Sequence, residues 1–284
     1  MQHQSGFTAF LTCTLLTALY VGVLYIHPGS RPSATISRND SNVIKYRVIA
    51  ITISTVIAAV MTSWILNGWQ FSLNPLYIMV SLRMLPAPSF FELFRSSLLI
   101  TAILFVGPLT EKLIFSQGWR EFDQSFKTIF RSWINLRNYI IGPFTEEIFF
   151  RSCIISLELQ SRMSPKTAIF VTPLYFGIAH LHHAYESYIQ NPAYLKIVIL
   201  NSLFHFAFTT IFGWYAAFLF MRTGSFWQPF IAHVLCNLMG VPRVGARLEG
   251  PRWYTQLYHA LLVIGLIAFG VLLGPLTKSS RAIM

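Results

Sequence analysis

Eight stretches of this chain run for about twenty residues each with almost no charged side chain, and that pattern leaves few folds open. They lie at about 7–27, 48–67, 96–115, 139–159, 166–185, 195–221, 225–242 and 257–276. At 1.5 Å of rise per residue, a helix of about 20 apolar residues covers the hydrocarbon core of a bilayer. Inside lipid no water is present to bond the backbone, so helices, which satisfy their own polar groups, are the expected element. The expected fold is therefore all-α, a polytopic membrane protein of about eight transmembrane helices. The stretch 75–86 is apolar but short, flanked by Pro75, Pro86 and Pro88, and reads as interfacial or re-entrant. Arg222-Thr223-Gly224 alone separates the sixth and seventh runs, which forces an antiparallel hairpin. No repeat or polar linker divides the chain, so residues 1–284 read as a single membrane domain.

The charges agree with this. Only 11% of the 284 residues are charged, against about 25% in a soluble domain. Lys and Arg number 21 and Asp and Glu 10, a net charge of +11. In a soluble protein that excess would suggest nucleic acid. Here it marks loops beside a bilayer, and no nucleic-acid partner is expected. With alternating spans, the loops at 28–47, 116–138, 186–194 and 243–256 share one side and carry eleven Lys and Arg. The loops at 68–95, 160–165 and 222–224, with the tail, carry six. The positive-inside rule places the first group in the cytoplasm and both termini across the membrane. The one glycosylation sequon, Asn39-Asp40-Ser41, would then escape modification. The three cysteines form no CxxC pair, so neither a disulfide framework nor a thiolate zinc site is expected. The first apolar run is long and no Lys or Arg precedes it, so it reads as a retained anchor, not a cleaved signal. The chain ends Arg-Ala-Ile-Met, with no Cys four from the end, and is not itself a prenylation substrate.

Ionisable groups within apolar runs are costly and therefore informative. Glu111-Lys112 and Glu158 sit near span ends, where snorkelling accounts for them. Four clusters do not yield so easily. Glu146 and Glu147 open the fourth run, with Thr145 as a candidate N-cap and the acids at the positive helix end. Glu147 and Arg151 are i,i+4 and can pair, while Glu146 points about 100° away. His180 and His183 are i,i+3 at the end of the fifth run. His233 and Asn237 are i,i+4 in the seventh. His205 sits alone in the sixth, where a pocket-lining or packing role is the plainer account. Interhelical hydrogen bonding is the bland reading of the others. Yet under alternating spans Glu146, His180, His233 and Asn237 fall in the same leaflet. That convergence suits a general base, its partner and a stabiliser of developing charge.

Several hydrolytic layouts are absent from the chain. There is no His-Glu-x-x-His and no Gly-x-Ser-x-Gly. The only aspartates, Asp40 and Asp123, are in loops, which removes an intramembrane aspartyl dyad. Cys236 lies three residues from His233, where a small apolar filler is a better reading than a nucleophile. A Glu with His nearby can deprotonate water in a shielded cavity. Alternatively, His180, His233 and a Glu can ligate zinc with one position open for water. The residue types leave both open.

These residues resemble the CaaX-processing (CPBP) family of intramembrane glutamate-type proteases. Glu146-Glu147-x-x-x-Arg151, Phe176-x-x-x-His180 and His233-x-x-x-Asn237 match its three motifs, in order, on separate runs. Further matches point to its eukaryotic branch. They are Gly142-Pro143-x-Thr145-Glu146-Glu147, Ala179-His180-x-His182-His183, Phe212-Gly213-x-Tyr215, Phe220-x-Arg222-Thr223-Gly224 and Cys236-Asn237-x-Met239-Gly240-x-Pro242. The resemblance covers about 140–245.

The resemblance implies an endopeptidase that removes the last three residues of prenylated CaaX proteins such as Ras-like GTPases. It also implies a catalytic cavity among the helices, in the endoplasmic reticulum membrane and facing the cytoplasm. Glu146 and His180 would activate water, and His233 and Asn237 would stabilise the oxyanion. Glu147, Arg151 and His183 would support the site or grip the substrate. The implied family is not a zinc enzyme, so no cofactor is expected. The expected partners are prenylated CaaX proteins and the bilayer. Prenyl chains partition into lipid at about 0.8 kcal/mol per CH₂, and a carboxylate-ended peptide is drawn to a positive rim. Competing readings are a family member acting on unprenylated substrates and a non-enzymatic transporter or scaffold.

Overall fold

The structure, a computed structural model, describes residues 4–86, 90–115, 124 and 127–284. Pro88, Arg120 and Asp123 lie outside the described residues. All regular elements among the described residues are helical. Ser5 caps α1 (Gly6–Gly22) by accepting from the Thr8 amide, and Asp40 caps α2 (Ser41–Leu66) by accepting from Asn42 and Val43. Asn74-Pro75 starts the short α3 (Pro75–Ser81). Next come α4 (Phe90–Leu104) and α5 (Val106–Thr110). A continuous helical run over 133–160 is labelled α6; α7 is Pro165–Ala179 and α8 His182–Gln190. The chain closes with α9 (Leu195–Thr223), α10 (Trp227–Met239) and α11 (Arg252–Leu276). Gly224, at φ 60°, turns α9 into α10; a Cβ there would strike the Arg281 carbonyl.

Among the described residues, four stretches are long and apolar enough to cross a bilayer: Gly6–Tyr25, Ser41–Leu66, Pro192–Thr223 and Arg252–Leu276. Phe90–Leu104 with Val106–Leu113 passes the same test only as a pair, bent by 84°, and counts as a fifth when the two are taken as one broken span. The protein is thus a multi-pass membrane protein. The other three of the eight expected spans are helical with altered lengths. The run expected at 166–185 stops at Ala179 and restarts as α8, and the run at 225–242 is helical only over Trp227–Met239.

The run expected at 139–159 extends to 133–160 and is not a regular α-helix, because π segments occupy Arg137–Ile141 and Glu147–Ile155. This corrects the expectation that Thr145 caps a helix opened by the two glutamates. Ser132 caps the run, and Thr145 is interior, its hydroxyl donating to the Ile141 carbonyl at 2.8 Å. Pro143 does not break the helix, because the π turn opens the backbone ahead of it: the Gly142 amide reaches back to the Arg137 carbonyl. Glu158, expected to snorkel, is instead buried, with the Tyr175 hydroxyl donating to it at 2.9 Å.

All nine residues of the second π segment are buried, and the core gathers around them. Tyr20 of α1 packs on Phe149 and Phe150, at ring-centroid distances of 4.6 and 5.3 Å, and Phe150 packs on Phe176 of α7 at 5.1 Å. Helices α7 and α9 approach closely through small residues. A Cβ on Gly213 would lie 2.6 Å from Cβ of Pro173. The loops sort into two ends. At one end Arg38 and Arg47 pair with Glu186, and Arg137 donates to Asn39 at 3.0 Å. At the other, the Phe226 amide donates to the Arg83 carbonyl at 3.1 Å, and the Ile283 amide donates to the Met221 carbonyl at 2.7 Å.

Candidate active site

The cluster is built outward from α6. Glu147 is fully buried and forms an ion pair with Arg151, its Oε2 3.0 Å from Nε, so the expected i,i+4 pair forms. The rest of the Arg151 guanidinium lies against aromatic faces, 4.5 Å from the Phe176 centroid and 5.6 Å from that of Phe212. The other Glu147 oxygen accepts from His233 Nδ1 on α10 at 2.7 Å. A carboxylate only accepts, so this contact puts the Nδ1 proton on His233 and turns Nε2 outward. Glu146 stands 3.6 Å from that Nε2. The result is a chain Arg151–Glu147–His233–Glu146, with its buried end compensated and its outer end facing space.

That space is a cavity of about 440 Å³. Glu146, His180, His233 and Asn237 all line it, as do His183, His205 and Cys236. His180 terminates α7, and its Nδ1 donates to the Phe176 carbonyl at 2.8 Å, leaving Nε2 as an acceptor. The His205 ring stacks on it at 5.3 Å, which makes His205 a cavity-lining residue. No direct bond joins Glu146 to His180 among the described residues; they border the same cavity. Asn237 Nδ2 donates to the Asn138 carbonyl at 2.8 Å, which ties α10 to the start of α6. Arg151 and Glu147 do not line the cavity, so of the two roles implied for them the geometry favours support over substrate contact.

Cations line the cavity where the loops meet it: Arg38, Arg47 and Arg137. Glu186, 5% exposed, holds two of them, pairing with Arg47 and with Arg38 at 3.4 Å, and accepts from His183 at 2.9 Å. Burial alone would raise the Glu186 carboxyl, but the His183 hydrogen bond and the two guanidinium groups outweigh it and hold its pKa at about 2. His183 is thus bound into this ionic cluster as well as bordering the cavity. Among the described residues, His182, His183 and Glu186 bring ligand atoms within 4.8 Å of one another. They suit a cation poorly. Two arginines occupy the carboxylate, and His182 Nδ1 is bonded to the Ala179 carbonyl at 2.6 Å. The alternative zinc set from the sequence, His180 with His233 and a Glu, does not form such a group there.

Sequence reasoning did not single out Glu186 or Asn138, and it counted Arg38, Arg47 and Arg137 only as loop charge. These residues meet across separations of 148 and 99 positions, and no local pattern encodes that.

The family model described as "Type II CAAX prenyl endopeptidase Rce1-like" matches residues 128–239, from just ahead of α6 to the last residue of α10. The chain is 35% identical to the "Probable CAAX prenyl protease 2" of Schizosaccharomyces pombe, over 92% of this chain and 90% of that one. It is 34% identical to CAAX prenyl protease 2 of Arabidopsis thaliana, over 95% and 89% of the two chains. It is also 34% identical to CAAX prenyl protease 2 of Homo sapiens, over 94% and 80%. No solved structure matches.

Proposed function

Because this chain belongs to the Rce1-like type II CAAX prenyl endopeptidases, we propose that its helices form one protease domain over 1–284 and that the cavity beside Glu146 is where it works. The enzyme is a CaaX prenyl endopeptidase. Its substrates are proteins prenylated at a CaaX cysteine, and it releases the last three residues.

One observation carries the assignment of the site. Glu146, His180, His233 and Asn237 come from α6, the end of α7 and α10, and they border one cavity. Glu146 and His180 Nε2 are acceptors across a gap that admits water. Glu146 takes a proton from that water as its oxygen attacks the carbonyl carbon of the prenylated cysteine. The carbonyl oxygen becomes an oxyanion, held by the second Nδ2 hydrogen of Asn237 and by His233 when Nε2 carries a proton as well as Nδ1. Collapse breaks the C–N bond, and the proton goes to the departing amine. The tripeptide leaves, and the protein ends in a prenylcysteine carboxylate. Arg151 and Glu147 act through His233, fixing its ring and tautomer.

No step needs a metal. The loop end that carries the arginines faces the cytoplasm of the endoplasmic reticulum membrane, where prenylated tails arrive, and the prenyl chain stays in lipid.

The test is cleavage of a prenylated CaaX peptide beside its unprenylated twin. Wild type is expected to cut only the prenylated one. Glu146→Gln and His180→Ala lose about 10²-fold or more, the usual worth of a general base. Full activity in both variants, or loss of activity on rigorous chelation with rescue by zinc, would refute this mechanism.

A further inference from the structure

With Arg151 away from the cavity, another cation must meet the charged end of the substrate. Three arginines, Arg38, Arg47 and Arg137, line the cavity at the loop end, and behind them Glu186 pairs with two of them. Arg47 is committed; it pairs with Glu186, and its Nε donates to the Ser30 carbonyl at 2.9 Å. Arg38 is shared: it pairs with Glu186 at 3.4 Å and lies beside His183, whose Nδ1 donates to the same carboxylate, with its side chain 40% exposed. Arg137 differs, because its guanidinium nitrogens bond only neutral oxygens among the described residues. They are Asn138 Oδ1 at 2.9 Å, the Arg38 carbonyl at 3.3 Å and Asn39 Oδ1 at 3.0 Å. Its guanidinium stays charged at neutral pH, with the like charges of Arg38 and Arg47 on the same cavity. The three arginines and Glu186 leave two positive charges uncompensated, and an anion would relieve them.

The place is as specific as the charge. Arg137 is the neighbour of Asn138, whose carbonyl holds Asn237, and consecutive Cα atoms are about 3.8 Å apart. Three extended residues span about 10 Å. A tripeptide running from Asn237 toward the loop end is therefore long enough to bring its terminus to Arg137 and Arg38.

Resting on the endopeptidase reading above, we propose that Arg137, with Arg38 beside it, binds the terminal α-carboxylate of the CaaX substrate. The planar guanidinium fork matches a carboxylate, and the pairing sets how many residues fit beyond the cysteine. Arg137 and Arg38 are then specificity residues, and His183 and Glu186 position Arg38.

The experiment uses the full chain in phosphatidylcholine vesicles, which bring no anionic headgroup to compete for the arginines. Two prenylated peptides are compared, one ending in a free carboxylate and one in a carboxamide, and the quantity read is the ratio of their kcat/KM. Wild type is expected to favour the acid at least about tenfold, the worth of one charge-assisted hydrogen bond. Arg137→Gln brings the ratio near one, and Arg137→Lys, which keeps the charge without the fork, gives an intermediate value. Because misfolding lowers both rates together, the ratio is insensitive to it. A wild type that cuts both peptides equally, or an unchanged ratio in Arg137→Gln, overturns the proposal. If that variant does not fold, an unchanged ratio in Arg38→Gln does so. A wild type that cuts neither peptide instead overturns the endopeptidase reading.

Discussion

Arg151 is the residue that most constrains its neighbours. It is 2% exposed, and its one carboxylate partner, Glu147, is fully buried. A buried pair contributes little relative to a well-packed apolar replacement, but removing one partner strands the other. Arg151→Met is expected to cost about 3–5 kcal/mol, seen as a lower thermal midpoint in detergent. Glu147→Gln combined with Arg151→Met should recover part of that loss. An additive double variant would mean that the two residues do not act as a pair. Helical spacing made this pair, and the face shared by His233 and Asn237, legible in the sequence. Spacing did not reveal that His233 hydrogen-bonds Glu147 and only faces Glu146, since that depends on how α10 leans on α6. Glu158 misled for a similar reason: a carboxylate near a span end usually reaches water, but here Tyr175 encloses it.

Among the elements, α6 departs furthest from what the sequence implies. Its apolar run was visible, but the two π segments that let Pro143 sit inside a helix and place Glu146 and Glu147 at the cavity were not. A π turn has no hydropathy period of its own within so short a stretch. Packing between α7 and α9 is easier to probe. Gly213 faces Pro173 with no room for a methyl group, whereas Gly270 of α11 has nothing within 4 Å of the corresponding position. Gly213→Ala should destabilise the protein by about 1–3 kcal/mol through overpacking. Gly270→Ala should be neutral or slightly stabilising, because alanine is the better helix former. Thermal melts of the two variants in one detergent check the contrast, and equal midpoints would place the α7–α9 contact elsewhere.

For the whole molecule, the sorting of loops into two ends was readable from the alternation of the apolar runs, while the ionic cluster that joins them was not. Glu186 links the 28–47 loop to the start of the 186–194 loop through Arg38 and Arg47, so its ionisation bears on how that end of the bundle holds together. Its carboxyl is held at about 2 in the folded protein, below the ordinary value of about 4.3. A depressed carboxyl stabilises fully above its unfolded value, and the stabilisation is lost as pH falls through the folded one. The stability gap between wild type and Glu186→Gln should therefore be constant above about pH 4.5 and shrink as pH falls toward 2. A gap that widens on acidification would reverse the assigned shift. The same loop end carries Asn39-Asp40-Ser41, where Asn39 accepts from Arg137 and Asp40 caps α2. In the proposed orientation, with that end in the cytoplasm, the sequon never meets the luminal transferase. Expressed in microsomes, wild type and Asn39→Gln should migrate identically before and after endoglycosidase treatment. A sequon-bearing extension appended after Met284, at the opposite end, should be modified. A mobility shift lost on Asn39→Gln would invert the topology and put the arginine-lined end of the cavity out of reach of cytoplasmic substrate tails.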